Sequence, residues 1–267
     1  MLNMEWILVY LALGAFVGFM SGLLGVGGGG LLVPLLTTIF MYQGLSQDST
    51  VHLALATSLA CMIFSTASSM RAHASKNAVL WDVMLGMAPG ITLGSLIATQ
   101  IASQVASVYI ALFFAIFMAV VALQTFLKWQ PTPCKSPKTL MGLIFAGTII
   151  GAISSIAVVG GGFLTVVYLS YKNVNMKRAI GTSAAIGFPI AIASTLGYMI
   201  SGWNTTTDIP NTFGFINVPA FLVITIASVI SAPYGARSSH NLSDGNLKKV
   251  FATICLALSI KMLASFW

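Results

Sequence analysis

The segment from residue 18 to residue 34 reads GFMSGLLGVGGGGLLVP and places four consecutive glycines, residues 27–30, inside a long apolar run. A second glycine run, residues 160–162, interrupts another apolar stretch in the second half of the chain. Glycine is a poor helix former, so each run predicts a break in a helix that would otherwise continue. The fold class depends on where these two breaks lie.

The two glycine runs belong to an internal duplication. At an offset of 133 positions, Gly14, Gly18, Ser21, Val26, Gly27, Gly28, Gly29, Leu31 and Val33 fall on Gly147, Gly151, Ser154, Val159, Gly160, Gly161, Gly162, Leu164 and Val166. A further match aligns Ala56-Thr57-Ser58 with Gly181-Thr182-Ser183. Helix breaks at matching positions of two repeats are the best indication in a sequence of a transporter's substrate site.

Composition places the chain in a membrane. Of its 267 residues, 57% are hydrophobic and 6% are charged, and the mean hydropathy is +0.95. Soluble domains carry about 25% charged residues, so a water-facing surface is excluded. We expect an all-α polytopic membrane protein whose net charge of +7 reflects basic cytoplasmic loops and not nucleic-acid binding. The three cysteines show no metal-ligand spacing, so no metal or cofactor is predicted.

Eight apolar segments cover approximately residues 6–42, 53–70, 80–99, 106–127, 140–171, 179–201, 215–236 and 247–266. The segments 6–42 and 140–171 are too long for one span. Each splits at its glycines into a long arm (6–26 and 140–158) and a short arm (31–42 and 164–171). A short arm is roughly 12–18 Å long and cannot cross about 30 Å of hydrocarbon.

Loop charges predict the topology. Connectors 71–79, 128–138, 172–178 and 237–249 hold 11 of the 12 Lys and Arg residues, and connectors 43–51, 100–105 and 202–214 hold none. If each broken segment enters and leaves on one side, all basic connectors are cytoplasmic and the N-terminus is outside. Each repeat (1–127 and 139–267, joined by a cytoplasmic linker, 128–138) is then a re-entrant hairpin plus three spans. The repeats have inverted topology. Eight plain spans with a parallel repeat remain the alternative.

The breaks predict an anion site. A helix that restarts at Leu31 or Phe163 directs free N–H groups and a positive dipole end into a cavity. Nearby hydroxyls would add donors, and basic loop residues would form a cytoplasmic entrance. The predicted substrate-binding residues are Ser21, Gly27, Gly28, Gly29, Gly30, Thr57, Ser58, Ser154, Gly160, Gly161, Gly162, Thr182 and Ser183, and the entrance residues are Arg71, Lys177, Arg178 and Arg237.

The same residues also allow purely structural interpretations, without an anion site. The glycines could serve close helix packing, and the hydroxyls could bond to a carbonyl one turn upstream. The latter is expected for the unmatched Ser65 and Ser194. His52 opens the span that carries Thr57 and could carry a proton, but a solvated histidine at a helix end is the expected interpretation. No catalytic motif is present, so we do not expect an enzyme.

The residues resemble those of the TauE/SafE family of sulfite and organosulfonate exporters. The resemblance rests on residues 18–34, on 54–58 (ALATS), on 71–82, and on 151–164 and 179–183 (AIGTS) of the second half, and it covers essentially the whole chain. Two departures are Val158-Val159 where the first break has Gly25-Val26, and Val167 in place of Pro34. The halves are therefore expected to contribute unequally to the site.

The resemblance implies a bacterial-type inner-membrane permease for small sulfur-containing anions such as sulfite, sulfoacetate or other sulfonates, with thiosulfate as a further candidate. The expected mechanism is secondary transport with alternating access, coupled to a proton or sodium ion. A passive anion channel is the main alternative, and a metal or cation carrier is a further one. The sequence leaves the particular anion, the direction of transport and the oligomeric state open.

Overall fold

A computed structural model describes residues 4–24, 27–45, 47–127, 139–159, 161–203, 211–239 and 244–264. The predicted linker 128–138 and the predicted site residue Gly160 lie outside these residues. The elements are α1 (Met4–Leu24), α2 (Gly29–Tyr42), α3 (Gln47–Ala74), α4 (Trp81–Ala102), α5 (Ser107–Phe126), α6 (Leu140–Ala157), α7 (Gly162–Tyr171), α8 (Met176–Gly202), β1 (Thr212–Phe213), β2 (Ile216–Asn217), α9 (Val218–Ser239) and α10 (Asp244–Ala264).

The class predicted from composition is confirmed. Within the described residues, seven helices are long and apolar enough to cross a membrane, so the protein is a multi-pass helical membrane protein. A short antiparallel hairpin of β1 and β2 was not predicted. Gly214 makes it possible, because its φ of +57° lets the chain reverse within two residues. This hairpin takes up the start of the predicted segment 215–236, so α9 begins only at Val218.

Both predicted helix breaks are present. α1 ends at Leu24 and α2 begins at Gly29, and α6 ends at Ala157 and α7 begins at Gly162. The new helices begin earlier than the predicted Leu31 and Phe163. Each new helix begins directly after a left-handed glycine, Gly28 or Gly161, each with a φ of +71°, so the glycines that follow them join the helix.

The first broken segment is an antiparallel hairpin. Gly28, at the start of α2, lies against Val17 in the second half of α1. At the other end of α2, the Gln43 side-chain amide donates a hydrogen bond to the Tyr10 hydroxyl near the start of α1, at 3.0 Å. The chain therefore leaves α2 at the same end of the bundle at which it entered α1.

Helices of one half pack mainly on helices of the other half. α1 packs on α9 and α4 packs on α6, while α3 packs on α8 and α5 packs on α10. If α1–α5 are matched in order with α6–α10, swapping the halves leaves this pairing unchanged. Gly14 faces α9, where a Cβ would lie 2.5 Å from the Ile224 carbonyl oxygen, and its match Gly147 faces the Met87 carbonyl oxygen of α4 at the same 2.5 Å. These matched glycines serve close packing, as the structural interpretation expects.

The connectors segregate to two ends of the bundle. Lys76 lines one surface depression together with Arg237 and a second one together with residues 172–178, which brings three of the basic connectors to one end, the basic end. At the opposite end, His52 at the start of α3 lies beside Val105 of the α4–α5 connector and Phe215 of the β-hairpin.

Candidate functional site

The two helix breaks contact each other. A Cβ on Gly29 would lie 2.6 Å from Val158 Cγ1 and 2.8 Å from the Val158 carbonyl oxygen. A Cβ on Gly30 would lie 3.4 Å from Val159 Cγ2. The backbone of the first break is therefore in direct contact with the end of α6, and only glycine fits at position 29.

This contact lies near the middle of the bundle. Gly27 packs on Met62 and Thr66, which stand about halfway along α3, and Gly161 packs on Ile186 and Ile190, near the middle of α8. α3 and α8 have the most buried spans of the described part, with 83% and 78% of their apolar windows inside the protein. Non-helical backbone at this depth is tolerated only where it is buried in protein or lines a cavity.

Both breaks present the same start of a helix. Gly28 and Gly161 are the N-cap residues of α2 and α7, and neither provides a side-chain cap. The Gly28 carbonyl accepts the N–H groups of Leu31 and Leu32 at 3.1 and 3.3 Å, and the Gly161 carbonyl accepts that of Thr165 at 2.9 Å. The earlier N–H groups of each first turn have no partner within the helix, and together with the helix dipole they favour an anion.

Buried hydroxyls lie beside the breaks. Ser21 is in contact with Gly28, and its Oγ has no hydrogen-bond partner among the described residues. The same holds for Thr165, whose Oγ1 lies 3.3 Å from the position of a Cβ on Gly161. Ser58 also has an unpartnered buried Oγ. The sequence predicted Ser21 and Ser58 but missed Thr165, because the repeat offset places Thr165 opposite an apolar residue, Leu32.

Ser154 and Ser65 shape the backbone of the breaks. The Ser154 carbonyl accepts the Val159 N–H at 3.2 Å, which closes the end of α6. The Ser65 hydroxyl lies within hydrogen-bonding distance of the Met62 carbonyl at 3.3 Å, as predicted for an upstream bond, and also of the Gly27 carbonyl at 3.2 Å. Ser65 therefore connects α3 to the first break, a contact that its spacing in the sequence did not indicate.

The matched threonines join the two halves. Thr57 Oγ1 accepts the N–H of Asn217, just before α9, and Thr182 Oγ1 accepts the N–H of Leu80, just before α4, both at 2.9 Å. Each oxygen therefore satisfies a backbone group at the start of a helix from the other half. Ser58 and Ser183, the next residues, are fully buried.

Two expectations about single residues are wrong. His52 is only 6% exposed, because Phe215 and Tyr198 pack against its ring at centroid distances of 5.4 and 6.5 Å. It is therefore not a solvated helix-end histidine. Ser194 does not bond to an upstream carbonyl, and its buried Oγ has no partner within the described part of the chain.

The predicted entrance residues lie in two depressions at the basic end. Arg71 and Arg237 line one of about 520 Å³, and Lys177 and Arg178 line the other, of about 770 Å³. Lys76 lines both, and neither has an acidic residue in its described lining. Such a surface attracts anions. It lies at the ends of the helices, away from the contact between the breaks.

Comparison with known proteins supports the family resemblance over nearly the whole chain. The family model described as sulfite exporter TauE/SafE matches residues 10–262. A probable membrane transporter protein of Haemophilus influenzae is 31% identical over 259 residues, which cover 96% of this chain and 98% of the relative. A probable membrane transporter protein of Methanocaldococcus jannaschii is 25% identical, with coverage of 94% and 92%. One of Bacillus subtilis is 22% identical, with coverage of 94% and 96%.

Proposed function

The chain belongs to the sulfite exporter TauE/SafE family, and we propose that this membrane transporter moves small sulfur-containing anions by alternating access. The candidate substrates are sulfite, sulfoacetate, other organosulfonates and thiosulfate. The anion is held between the helix starts of α2 and α7. The proposed transport is coupled to an ion gradient, with a proton or sodium as the coupling ion.

The observation that carries the proposal is the contact between the two breaks. Gly29 meets Val158 halfway along the central helices, so both helix starts approach one place at mid-depth. Free N–H groups and unpartnered hydroxyls there offer hydrogen-bond donors without a fixed positive charge. A sulfonate or sulfite group has several acceptor oxygens, and such groups fit a site made of donors.

We further propose that the two halves are inverted repeats. With eight plain spans, connectors 71–79 and 172–178 would lie on opposite sides, whereas Lys76 lines one depression together with Lys172 and Lys177. The positive-inside rule then makes the basic end cytoplasmic and places the N-terminus outside. A bacterial-type inner membrane is the proposed location.

Transport into proteoliposomes tests the function. Labelled sulfite, sulfoacetate and thiosulfate are offered under imposed pH, sodium and potential gradients. We expect saturable uptake of at least one anion, and its reduction to background in Gly28→Leu and Gly161→Leu. Gly44→Leu is the matched control, since Gly44 also has a positive φ, +82°, but no atom within 4 Å of an added Cβ. Flux that persists in both break variants would overturn the proposed site.

The same assay separates the alternatives. Flux that follows only the electrochemical gradient of the anion, with no counterflow, would identify an anion channel. Accumulation of zinc or nickel without anion flux would identify a cation carrier.

Thiol labelling tests the topology separately. In a background without Cys61, Cys134 and Cys255, the thiols of Lys76→Cys and Lys172→Cys should both react from the cytoplasmic side. The thiol of Tyr42→Cys should react from outside. Labelling of the two lysine positions from different sides would support the alternative topology of eight plain spans.

A further inference from the structure

A cluster of three aromatic rings closes the bundle at the end opposite to the basic end. It consists of His52 at the start of α3, Tyr198 near the end of α8 and Phe215 at the tip of the β-hairpin. Ring centroids lie 5.4 Å apart for His52 and Phe215 and 6.5 Å apart for each of the other two pairs. The cluster joins one helix from each half with the hairpin, so it can separate only if this end of the bundle opens.

The hydrogen bonds of His52 leave one nitrogen available. Nε2 lies 3.1 Å from the Val105 carbonyl oxygen, which only accepts, so Nε2 carries a hydrogen. In the neutral ring the lone pair is then on Nδ1, which is buried and has no partner among the described residues. The Tyr198 hydroxyl is fully buried and likewise unpartnered in that part of the chain.

The described residues around His52 bring little charge to it. Tyr198 is the ionisable group that faces it from α8, while Val105 and Phe215 contribute a carbonyl and an apolar ring. Asp48, one turn earlier on α3, is the nearest acidic residue in sequence. An ionisable side chain buried at membrane depth is expensive and marks a functional position by default.

From this arrangement we propose that His52 is the residue at which a proton binds to open this end of the transporter. A protonated imidazole in the closed cluster would bury a charge with no acceptor for its Nδ1–H among the described residues, which costs free energy. The proton therefore binds more tightly when the cluster has separated and water reaches the ring. Through this difference in affinity, external acid shifts the population towards the open state. The proposal rests on the transport function and names its coupling ion.

The test needs no substrate. In the cysteine-free background, Ala56→Cys places a thiol one turn below His52, at a position that is fully buried in the closed state. Its labelling by a membrane-impermeant reagent from outside reports opening. The rate is divided by that of Tyr42→Cys, because Tyr42 is 82% exposed at the same end, which removes the pH dependence that the two thiols share.

We expect the ratio to rise about tenfold from pH 8 to pH 5.5, as a tenfold difference in proton affinity between two states produces. His52→Gln keeps a donor for the Val105 carbonyl and should give a flat ratio. Tyr198→Phe should keep the rise, because the titrating group is the imidazole. His73→Gln changes the buried histidine at the other end of α3 and should also keep it.

A ratio that does not change with pH in the parent, or that still rises in His52→Gln, would overturn the proposal. So would loss of the response in Tyr198→Phe or His73→Gln. Size-exclusion profiles of all variants establish that they are folded. Absence of anion uptake in proteoliposomes together with a pH-dependent ratio would contradict the proposed substrate class and leave the proton site standing.

Discussion

The two helix breaks share one geometry at their ends and differ in the residue with which they begin. Gly28 and Gly161 have the same φ of +71° and nearly the same ψ, −14° and −8°, and each is followed by a new helix. The second break, however, begins at Val158, a buried β-branched residue with a φ of +52°. A left-handed conformation is strained for valine, at a cost of about 1–3 kcal/mol.

The contact between the breaks gives Val158 a packing role. The Val158 side chain occupies the space that a Cβ on Gly29 would need. Val158 and Gly29 are therefore complementary in size at the contact between the two breaks.

Gly29→Ala is the strongest way to break this complementarity. The new methyl would lie 2.6 Å from Val158 Cγ1 and 2.8 Å from its carbonyl oxygen, so backbone must move. We expect a loss of about 3 kcal/mol in the free energy of unfolding and at least tenfold slower transport. Unfolding in detergent and proteoliposome flux measure the two effects.

The reciprocal change is the control for this prediction. Val158→Gly removes the side chain that Gly29 accommodates, so the double variant should recover at least about 1 kcal/mol relative to the sum of the single changes. Strict additivity would show that the two breaks do not touch.

The two N-cap glycines should respond unequally. A left-handed alanine costs about 1–2 kcal/mol at either position. At Gly28 the added Cβ also meets the Val17 carbonyl oxygen at 3.1 Å, besides Val17 Cγ1 at 2.7 Å. At Gly161 the closest atom is the flexible Cδ1 of Ile190, at 2.8 Å. Gly28→Ala should therefore be about 1 kcal/mol more destabilising in detergent unfolding. Gly44→Ala reports the strain alone, and equal losses at both N-caps would contradict the packing difference.

The matched threonines should respond equally. Thr57→Val and Thr182→Val each remove an oxygen that accepts a backbone N–H at 2.9 Å. Each variant should lose about 1–2 kcal/mol of unfolding free energy, because one buried donor is left without a partner. Detergent unfolding of both variants checks this, and a loss confined to one of them would show that the two junctions are not equivalent.

The smallest effect is expected for the hydroxyls beside the breaks. Thr165→Val removes a hydroxyl without a protein partner, so stability should not fall, while the KM for the transported anion should rise about fivefold. Ser65→Ala instead removes a hydrogen bond to the Gly27 carbonyl and should lower stability by about 1 kcal/mol. If Thr165→Val left KM unchanged, Thr165 would not contact the substrate.

Most of the fold follows from patterns that depend on the bilayer. Low charge and long apolar runs predict the helices, and the glycine runs predict both breaks to within two residues at the restarted helices. The β-hairpin is not predicted from the sequence, because strands of two residues are too short to show an alternation of apolar and polar residues. The helices begin earlier than predicted because the glycines after Gly28 and Gly161 are helical, whereas the prediction takes every glycine of each run as non-helical.

The candidate site was less predictable because it depends on contacts between the halves. Repeat matching found Ser21 but could not find Thr165, since the two breaks are not identical. It also could not show that Thr57 and Thr182 accept backbone N–H groups across the halves. The burial of His52 depends on Phe215, which is 163 positions away in the chain, and no local pattern reports such a contact.

The exchange of helices between the halves has a consequence for biosynthesis. α1 packs on α9 and α4 packs on α6, so the main packing partners of these four helices lie in the other half. α9 ends at Ser239. During translation, the glycine-lined face of α1 therefore stays in contact with lipid until residue 239 has left the ribosome and α9 can pack on it. Assembly is therefore a late, post-insertion event. A chain truncated after α5 would insert without its packing partners, whereas the two halves expressed as separate polypeptides should reconstitute the protein.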